Sequence, residues 1–125
     1  MPAIKLKELQ YETDSWKSRL AFMKEENILF KNKISEILSN GFDRNLLEDV
    51  EEFQNRFIKA DEVIGLLRND IAEIDKLLIR EIFEDGKILK EIELKFKRFR
   101  NHLIVAQRQF DTLKKEFNSF LKKDT

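Results

Sequence analysis

The chain has 125 residues, 38% of them charged and 42% hydrophobic, and its 24 basic and 24 acidic residues give a net charge of zero. The absence of cysteine excludes disulfides, thiolate chemistry and cysteine-ligated metal sites, and it suits a cytoplasmic location. Only three glycines and one proline interrupt the sequence, so long helices are expected. We expect neither a signal peptide nor a membrane span, because no apolar run approaches the roughly 20 residues that a span needs.

The charges are unevenly distributed along the chain. Residues 1–42 hold seven basic and six acidic residues, residues 43–86 hold six and thirteen, and residues 87–125 hold eleven and five. This asymmetry predicts that the acidic middle segment, including Asp61, Asp70 and Asp75, pairs with the basic third segment inside the molecule.

Three segments place mostly apolar residues alternately three and four positions apart, and we call these residues the core positions. They are Leu6, Leu9, Thr13, Trp16, Leu20, Met23, Asn27, Phe30, Ile34 and Ile37; Leu46, Val50, Phe53, Phe57, Ala60, Ile64, Leu67, Ile71, Ile74 and Leu78; and Leu89, Ile92, Phe96, Phe99, Leu103, Ala106, Phe110, Leu113, Phe117 and Phe120. A mean spacing of 3.5 residues keeps one stripe of a helix against a neighbouring helix. The pattern predicts a single all-α domain over residues 1–125, an antiparallel up-down-up three-helix bundle or coiled coil with helices at about 3–39, 44–84 and 87–122.

The first break between helices is marked by Asn40 and Gly41, because glycine accepts the left-handed conformation that closes a helix. Phe42 can then fold back onto the last turn of the first helix. Asp43 or Asn45 is the predicted N-cap of the second helix.

The second break depends on Gly86. Leu78 and Leu89 are eleven residues apart, and Glu81 and Asp85 place charges where a continuous repeat would need apolar residues. These charges favour a turn. The alternative is a helix that continues through Gly86, since an eleven-residue step is also a stutter in a continuous coiled coil.

Antiparallel helices about 55 Å long can be divided into layers that each take one core position from every helix. In the central layers the side-chain sizes compensate, with Met23 opposite two alanines and Asn27 opposite two phenylalanines. Four such layers are predicted: Leu20, Ile64 and Leu103; Met23, Ala60 and Ala106; Asn27, Phe57 and Phe110; Phe30, Phe53 and Leu113. The outline resembles a spectrin-repeat-like three-helix bundle, a likeness of architecture that implies no function.

Asn27 is the most polar of the core positions, and Thr13 is a milder case. A single Asn between helices can fix their register at a cost in stability. We therefore interpret Asn27 as a register-setting residue bonded to a neighbouring group, and the alternative is a ligand-binding role.

Enzymatic function is not expected. A carboxylate metal site of the helical-bundle type needs two Glu-x-x-His motifs, whereas His102 is the only histidine, and the chain has no glycine-rich phosphate loop. We predict no catalytic residue, no metal and no cofactor, and no small-molecule substrate is evident. A histidine phosphotransfer bundle that uses His102 is the third interpretation.

Residues 95–100 interleave basic and aromatic residues, a pattern that is found where proteins stack on single-stranded nucleic acid. The basic residues of this candidate interface are Lys95, Lys97, Arg98 and Arg100. Because Phe96 and Phe99 are core positions, they are expected to be buried, so nucleic-acid binding by the third helix is kept only as the alternative function.

Several apolar residues lie outside the core positions, near the middle of the predicted bundle. On the first helix they are Phe22, Ile28 and Leu29; on the third, Ile104 and Val105; on the second, Ile58 and Leu66. A cluster of exposed apolar side chains is a candidate contact surface. The leading hypothesis is that Phe22, Ile28 and Leu29, and secondarily Ile104 and Val105, bind a partner protein or a second copy of the chain.

Overall fold

The computed structural model describes residues 3–41, 43–84, 86 and 88–123, which form an all-α bundle of three long helices. Helix α1 spans Ala3–Ser39, a 3₁₀-helix spans Arg44–Leu46, α2 spans Leu47–Glu84, and α3 spans Leu89–Lys123. The predicted fold class is therefore confirmed. Among the described residues, no helix is both long enough and apolar enough to cross a lipid bilayer.

The first turn follows the predicted chemistry. Gly41 has a φ of 79°, and the N–H of Asn40 donates to the carbonyl oxygen of Glu36 at 3.0 Å. Asp43 has an extended backbone, and its side chain accepts a hydrogen bond from the N–H of Asn45, so Asp43 caps the 3₁₀-helix that leads into α2 rather than α2 itself. Phe42, which was expected to fold back onto α1, lies outside the described residues.

The second turn is also present, and the alternative of a continuous helix is wrong. Gly86 has a φ of 88°, and the N–H of Leu89 donates to its carbonyl oxygen at 3.4 Å. One of the two charged residues that favoured the turn is nevertheless buried. Glu81 is 2% exposed, and neither of its carboxylate oxygens has a hydrogen-bond partner, so its charge does not mark exposure to solvent. Asp85 lies outside the described residues.

All thirty core positions are buried or half-buried. Three further residues near the second turn, Leu77, Glu81 and Ile88, are also buried. They extend the core beyond the regular pattern, since Glu81 lies three and four residues after Leu78 and Leu77 on the same side of α2.

The central layers are found in part. Met23, Ala60 and Ala106 border one cleft, as their shared layer requires, although the cleft retains about 240 Å³ that Met23 does not fill. Asn27 contacts the main chain of Phe57, which also agrees with the prediction.

The aromatic end of the bundle departs from simple layers. Phe117 is fully buried, and its ring centroid lies 5.7 Å from that of Phe30 and 5.2 Å from those of Phe53 and Phe57. Phe53 also contacts Phe120 at 5.2 Å. Rings of this size reach past one turn of a helix, so the predicted layer of Phe30, Phe53 and Leu113 is too simple.

The three helices are not equally close. Within the described residues, α2 has Cα atoms within 8 Å of both neighbours, whereas no such pair joins α1 and α3. Large side chains hold α1 and α3 apart: the Trp16 ring lies 4.9 Å from that of Phe96 and 4.4 Å from that of Phe99. Helix α2 therefore lies close to both neighbours and packs most extensively against α1, with α3 lying along one side of the α1–α2 pair.

Candidate functional site

The predicted contact residues of α1 are exposed. Phe22 is 61% exposed, Leu29 is 69% exposed and Ile28 is 42% exposed. Phe22 and Leu29 are seven residues apart, so they project from the same side of the helix. Ile28 projects toward α2 instead, where it lines a groove with the buried side chains of Leu20 and Ile71. We define the outer face of α1 by Phe22 and Leu29.

On α3, the predicted residues Ile104 and Val105 are 45% and 51% exposed. They are consecutive in a helix and therefore point in directions about 100° apart. Ile104 lies four residues after Arg100, which pairs with α1, whereas Val105 lies three residues after His102, which borders α2. The structure does not bring these two side chains into one patch.

Phe22 and Ile104 each lie one helical turn from an ion pair that joins α1 and α3. Phe22 lies four residues before Glu26, whose carboxylate accepts a hydrogen bond from Lys114 of α3. Ile104 lies four residues after Arg100, which binds Glu12 of α1.

A second group of exposed apolar residues was missed by the sequence reasoning, which placed such residues only near the middle of the bundle. Ile79, Ile82 and Phe83, at the end of α2, are 58%, 65% and 82% exposed. Ile79 lies three residues before Ile82 and four before Phe83, so it neighbours both on the helix surface, although Ile82 and Phe83 themselves point about 100° apart. The positions of these apolar residues outside the core positions could have identified the group from the sequence.

Ion pairs tie α3 to α1. Arg100 donates to both carboxylate oxygens of Glu12, with Nε–Oε1 at 2.6 Å and Nη2–Oε2 at 2.7 Å. These hydrogen bonds raise the pKa of Arg100 further above its usual range, so its charge is fixed at any physiological pH. Lys114 Nζ lies 3.1 Å from Oε2 of Glu26.

The predicted pairing of acidic α2 with basic α3 is wrong for two of its aspartates. Asp75 Oδ2 lies 2.6 Å from Nζ of Lys17, and Asp61 pairs with Lys31, so both carboxylates bind lysines of α1. Arg56 and Glu116 do link α2 to α3, but with the cation on α2. The helix edge that carries Asp61 and Asp75 faces α1, which is the physical reason for the difference.

Asn27 is fully buried, and its contacts are structural. Its Nδ2 donates to the main-chain oxygen of Phe57 at 3.0 Å and to Oδ1 of Asp61 at 2.6 Å. Its Oδ1 is buried without a hydrogen-bond partner. Thr13 satisfies its hydroxyl locally by donating to the main-chain oxygen of Gln10 at 2.9 Å.

The candidate nucleic-acid residues are less available than their number suggests. Phe96 is fully buried and Phe99 is 2% exposed, so neither can stack on a base. Arg100 is held by Glu12. Lys95 and Arg98 border a shallow cleft of about 250 Å³ whose other side carries Asp70 and Glu73. Lys97 is exposed.

His102 lies in the same cleft as Lys95 and Arg98 and is exposed. Among the described residues, no group of three or more His, Asp or Glu side chains is arranged to hold a metal ion.

No protein-family model matches the chain, and the searches of curated proteins and of solved structures found no match.

Proposed function

We propose that this protein acts without catalysis, by binding a partner protein or a second copy of itself through the outer face of α1. The observation that carries the proposal is the exposure of Phe22 and Leu29, 61% and 69%, one heptad apart on one side of a long regular helix. Full burial of a side chain of this size is worth about 1.5–3 kcal/mol. Burial of both side chains would therefore favour association, against the entropic cost of bringing two molecules together.

The spacing also suits self-association. In an antiparallel pair of α1 helices related by a twofold axis, Phe22 of one copy can lie against Leu29 of the other, and the contact is made twice. A partner helix with apolar residues one heptad apart would use the same surface. A cytoplasmic location is part of the proposal, and its support is the cysteine-free composition.

Sedimentation velocity of the purified chain tests the proposal, with Phe22→Asp combined with Leu29→Asp as the variant. The control is Leu66→Asp, which places one such charge at a 65% exposed site on α2. Circular dichroism should show unchanged helicity in both variants, because the substituted side chains lie outside the core.

Self-association that is lost in the double variant and kept in the control would support a contact between copies. A wild-type monomer at all concentrations would leave only a partner protein, for which capture from the source cells must show the same dependence on Phe22 and Leu29. Association that is unchanged in the double variant would contradict the proposal.

A further inference from the structure

The edge between α1 and α2 carries a regular row of ion pairs with a mismatch at its centre. Lys17 binds Asp75, with Nζ and Oδ2 2.6 Å apart, and Lys31 binds Asp61. The two pairs are fourteen residues apart on each helix. The central position of the row belongs to Lys24 on α1 and Arg68 on α2, each seven residues from both of its neighbours in the row.

In the two flanking pairs a lysine of α1 faces an aspartate of α2, whereas at the central position a lysine of α1 faces an arginine of α2. Neither Lys24 nor Arg68 has an ion pair or hydrogen bond within the described part of the chain, and both are exposed. Like charges at adjacent positions repel, so this arrangement costs the fold stability that a carboxylate at either position would supply. The fold itself gives no reason for the mismatch.

Lys24 and Arg68 flank a groove along α1 and α2 with a volume of about 600 Å³. Leu20 and Ile71, which are 1% and 2% exposed, form its floor. Ile28 lies at the rim of the groove and is 42% exposed. We call this surface the α1–α2 groove.

The α1–α2 groove lies on the side of the helix pair that α3 leaves open. On the other side, α3 packs along the pair with its apolar core positions and pairs Arg100 and Lys114 with carboxylates of α1. A helix lying in the groove between two helices is thus already the packing mode of this fold. The open groove offers the exposed side chain of Ile28 and two cations without an ion pair in the described part of the chain to a further helix.

We propose that the α1–α2 groove binds a helix of a partner protein that presents a carboxylate, from Asp or Glu, between apolar side chains. The carboxylate would lie between Lys24 and Arg68 and complete the row of ion pairs, while the apolar side chains would cover Ile28, Ala21 and Ala72, which line the groove and are exposed. Desolvation by the bound helix would strengthen these charge contacts.

Charge argues against a second copy as the occupant. A twofold contact centred on this groove would set Lys24 and Arg68 against the same two cations of the other copy. The groove is lined by the cations Lys17, Lys24 and Arg68 and by two carboxylates, Glu25 and Asp75, of which Asp75 is bound to Lys17. Its net charge is therefore positive. This site is separate from the outer face of α1, so the inference goes beyond the proposed function.

The charge mismatch can be tested on the purified chain. Arg68→Glu should pair the new carboxylate with Lys24 and raise the Tm by roughly 2–4 °C, because it replaces a repulsion by an attraction. Lys24→Glu should do the same, and combining both substitutions should remove the gain. A lower Tm for both single variants would contradict the interpretation of the row.

Binding can be tested by a photo-crosslinking amino acid at position 69, where Asn69 is exposed beside Arg68. The matched control position is Asn101, which is exposed on α3. The full chain is expressed in the source cells, irradiated, and the crosslinked peptides are identified by mass spectrometry. The same experiment is repeated with Arg68→Glu and, as a charge control, with Arg108→Glu on α3.

The proposal predicts an adduct from position 69 that maps to a helical segment containing Asp or Glu. The adduct should fall at least tenfold with Arg68→Glu, persist with Arg108→Glu and with the Phe22→Asp/Leu29→Asp variant, and return when the mapped carboxylate is replaced by Lys. An adduct that ignores Arg68→Glu, a segment without a carboxylate, an adduct only to other copies of this chain, or no adduct at all would overturn it.

Discussion

The side-chain amide of Asn27 donates to the main-chain oxygen of Phe57, and this bond joins one fixed residue of α1 to one fixed residue of α2. The same amide donates to Asp61, whose other carboxylate oxygen binds Lys31. A slip of α1 along α2 by one turn would leave the buried amide without these partners. We therefore expect this network to fix the register of α1 against α2.

Replacing Asn27 with Ala should lower the free energy of unfolding by about 1–2 kcal/mol, because two hydrogen bonds are lost and a small cavity forms. Urea unfolding followed by circular dichroism measures this change. Asn32→Ala, at an exposed site of the same helix, should change stability by less than about 0.5 kcal/mol. Equal stability of the Asn27→Ala variant and the wild type would show that the network contributes nothing.

We expect the buried side chain of Glu81 to lower the free energy of unfolding of the bundle. Both of its carboxylate oxygens are buried without a partner, which costs about 1–3 kcal/mol for a polar group. Glu81→Leu should therefore raise the free energy of unfolding by a similar amount in thermal or urea unfolding. The control is Glu62→Leu, at an exposed site of α2, which should be close to neutral. A less stable Glu81→Leu variant would mean that the carboxylate is needed.

Two glycines should respond to alanine in opposite directions. Gly65 lies inside α2, and no atom lies within 4 Å of the place where a Cβ would be. Gly65→Ala should therefore stabilise the protein by about 0.5–1 kcal/mol through helix propensity. Gly41 has a φ of 79°, so Gly41→Ala should destabilise the first turn. Urea midpoints that move in the same direction for both variants would contradict this description of the turn.

The aromatic end of the bundle should depend most on Phe117. Its ring is fully buried and contacts four other phenylalanine rings, so Phe117→Ala should cost about 3–5 kcal/mol. Phe120 is only half-buried, and Phe120→Ala should cost less. Similar urea midpoints for the two variants would show that burial does not rank these sites.

The spacing of apolar residues was sufficient to predict the fold, because contact between helices leaves a period of 3.5 residues in the sequence. It identified positions as different as Thr13 and Phe117 as buried, and it located both turns through Gly41 and Gly86. It could not place Glu81, because the core widens near the second turn and the regular pattern has no position for that residue.

The ion pairs show a different limit. An up-down-up bundle of three helices can be built with either hand, and the core positions are the same in both. The hand decides whether the edge of α2 that carries Asp61 and Asp75 faces α1 or α3. Lys17 and Lys31 are fourteen residues apart, as are Asp61 and Asp75, so the sequence is compatible with their pairing. That spacing identifies the partners only once it is known that this edge of α2 faces α1.

For the candidate site, the sequence predicted the exposure of Phe22, Leu29 and Ile104 and the grouping of Phe22 with Leu29, but it also grouped Ile28 and Val105 with neighbours that point elsewhere. Ile28 and Val105 point away from the outer face of α1 because single steps along a helix turn a side chain by about 100°. Lys24 and Arg68 gave no signal of their own, since their proximity appears only when the two ion pairs on either side fix the register of α1 against α2.

The central claim, that this protein acts through the outer face of α1, is tested most directly by the native mass of the tagged chain isolated from its source cells. We expect an assembly heavier than the monomer for the wild type and for Leu66→Asp, and the monomer mass for Phe22→Asp combined with Leu29→Asp. The same mass for all three proteins would contradict it.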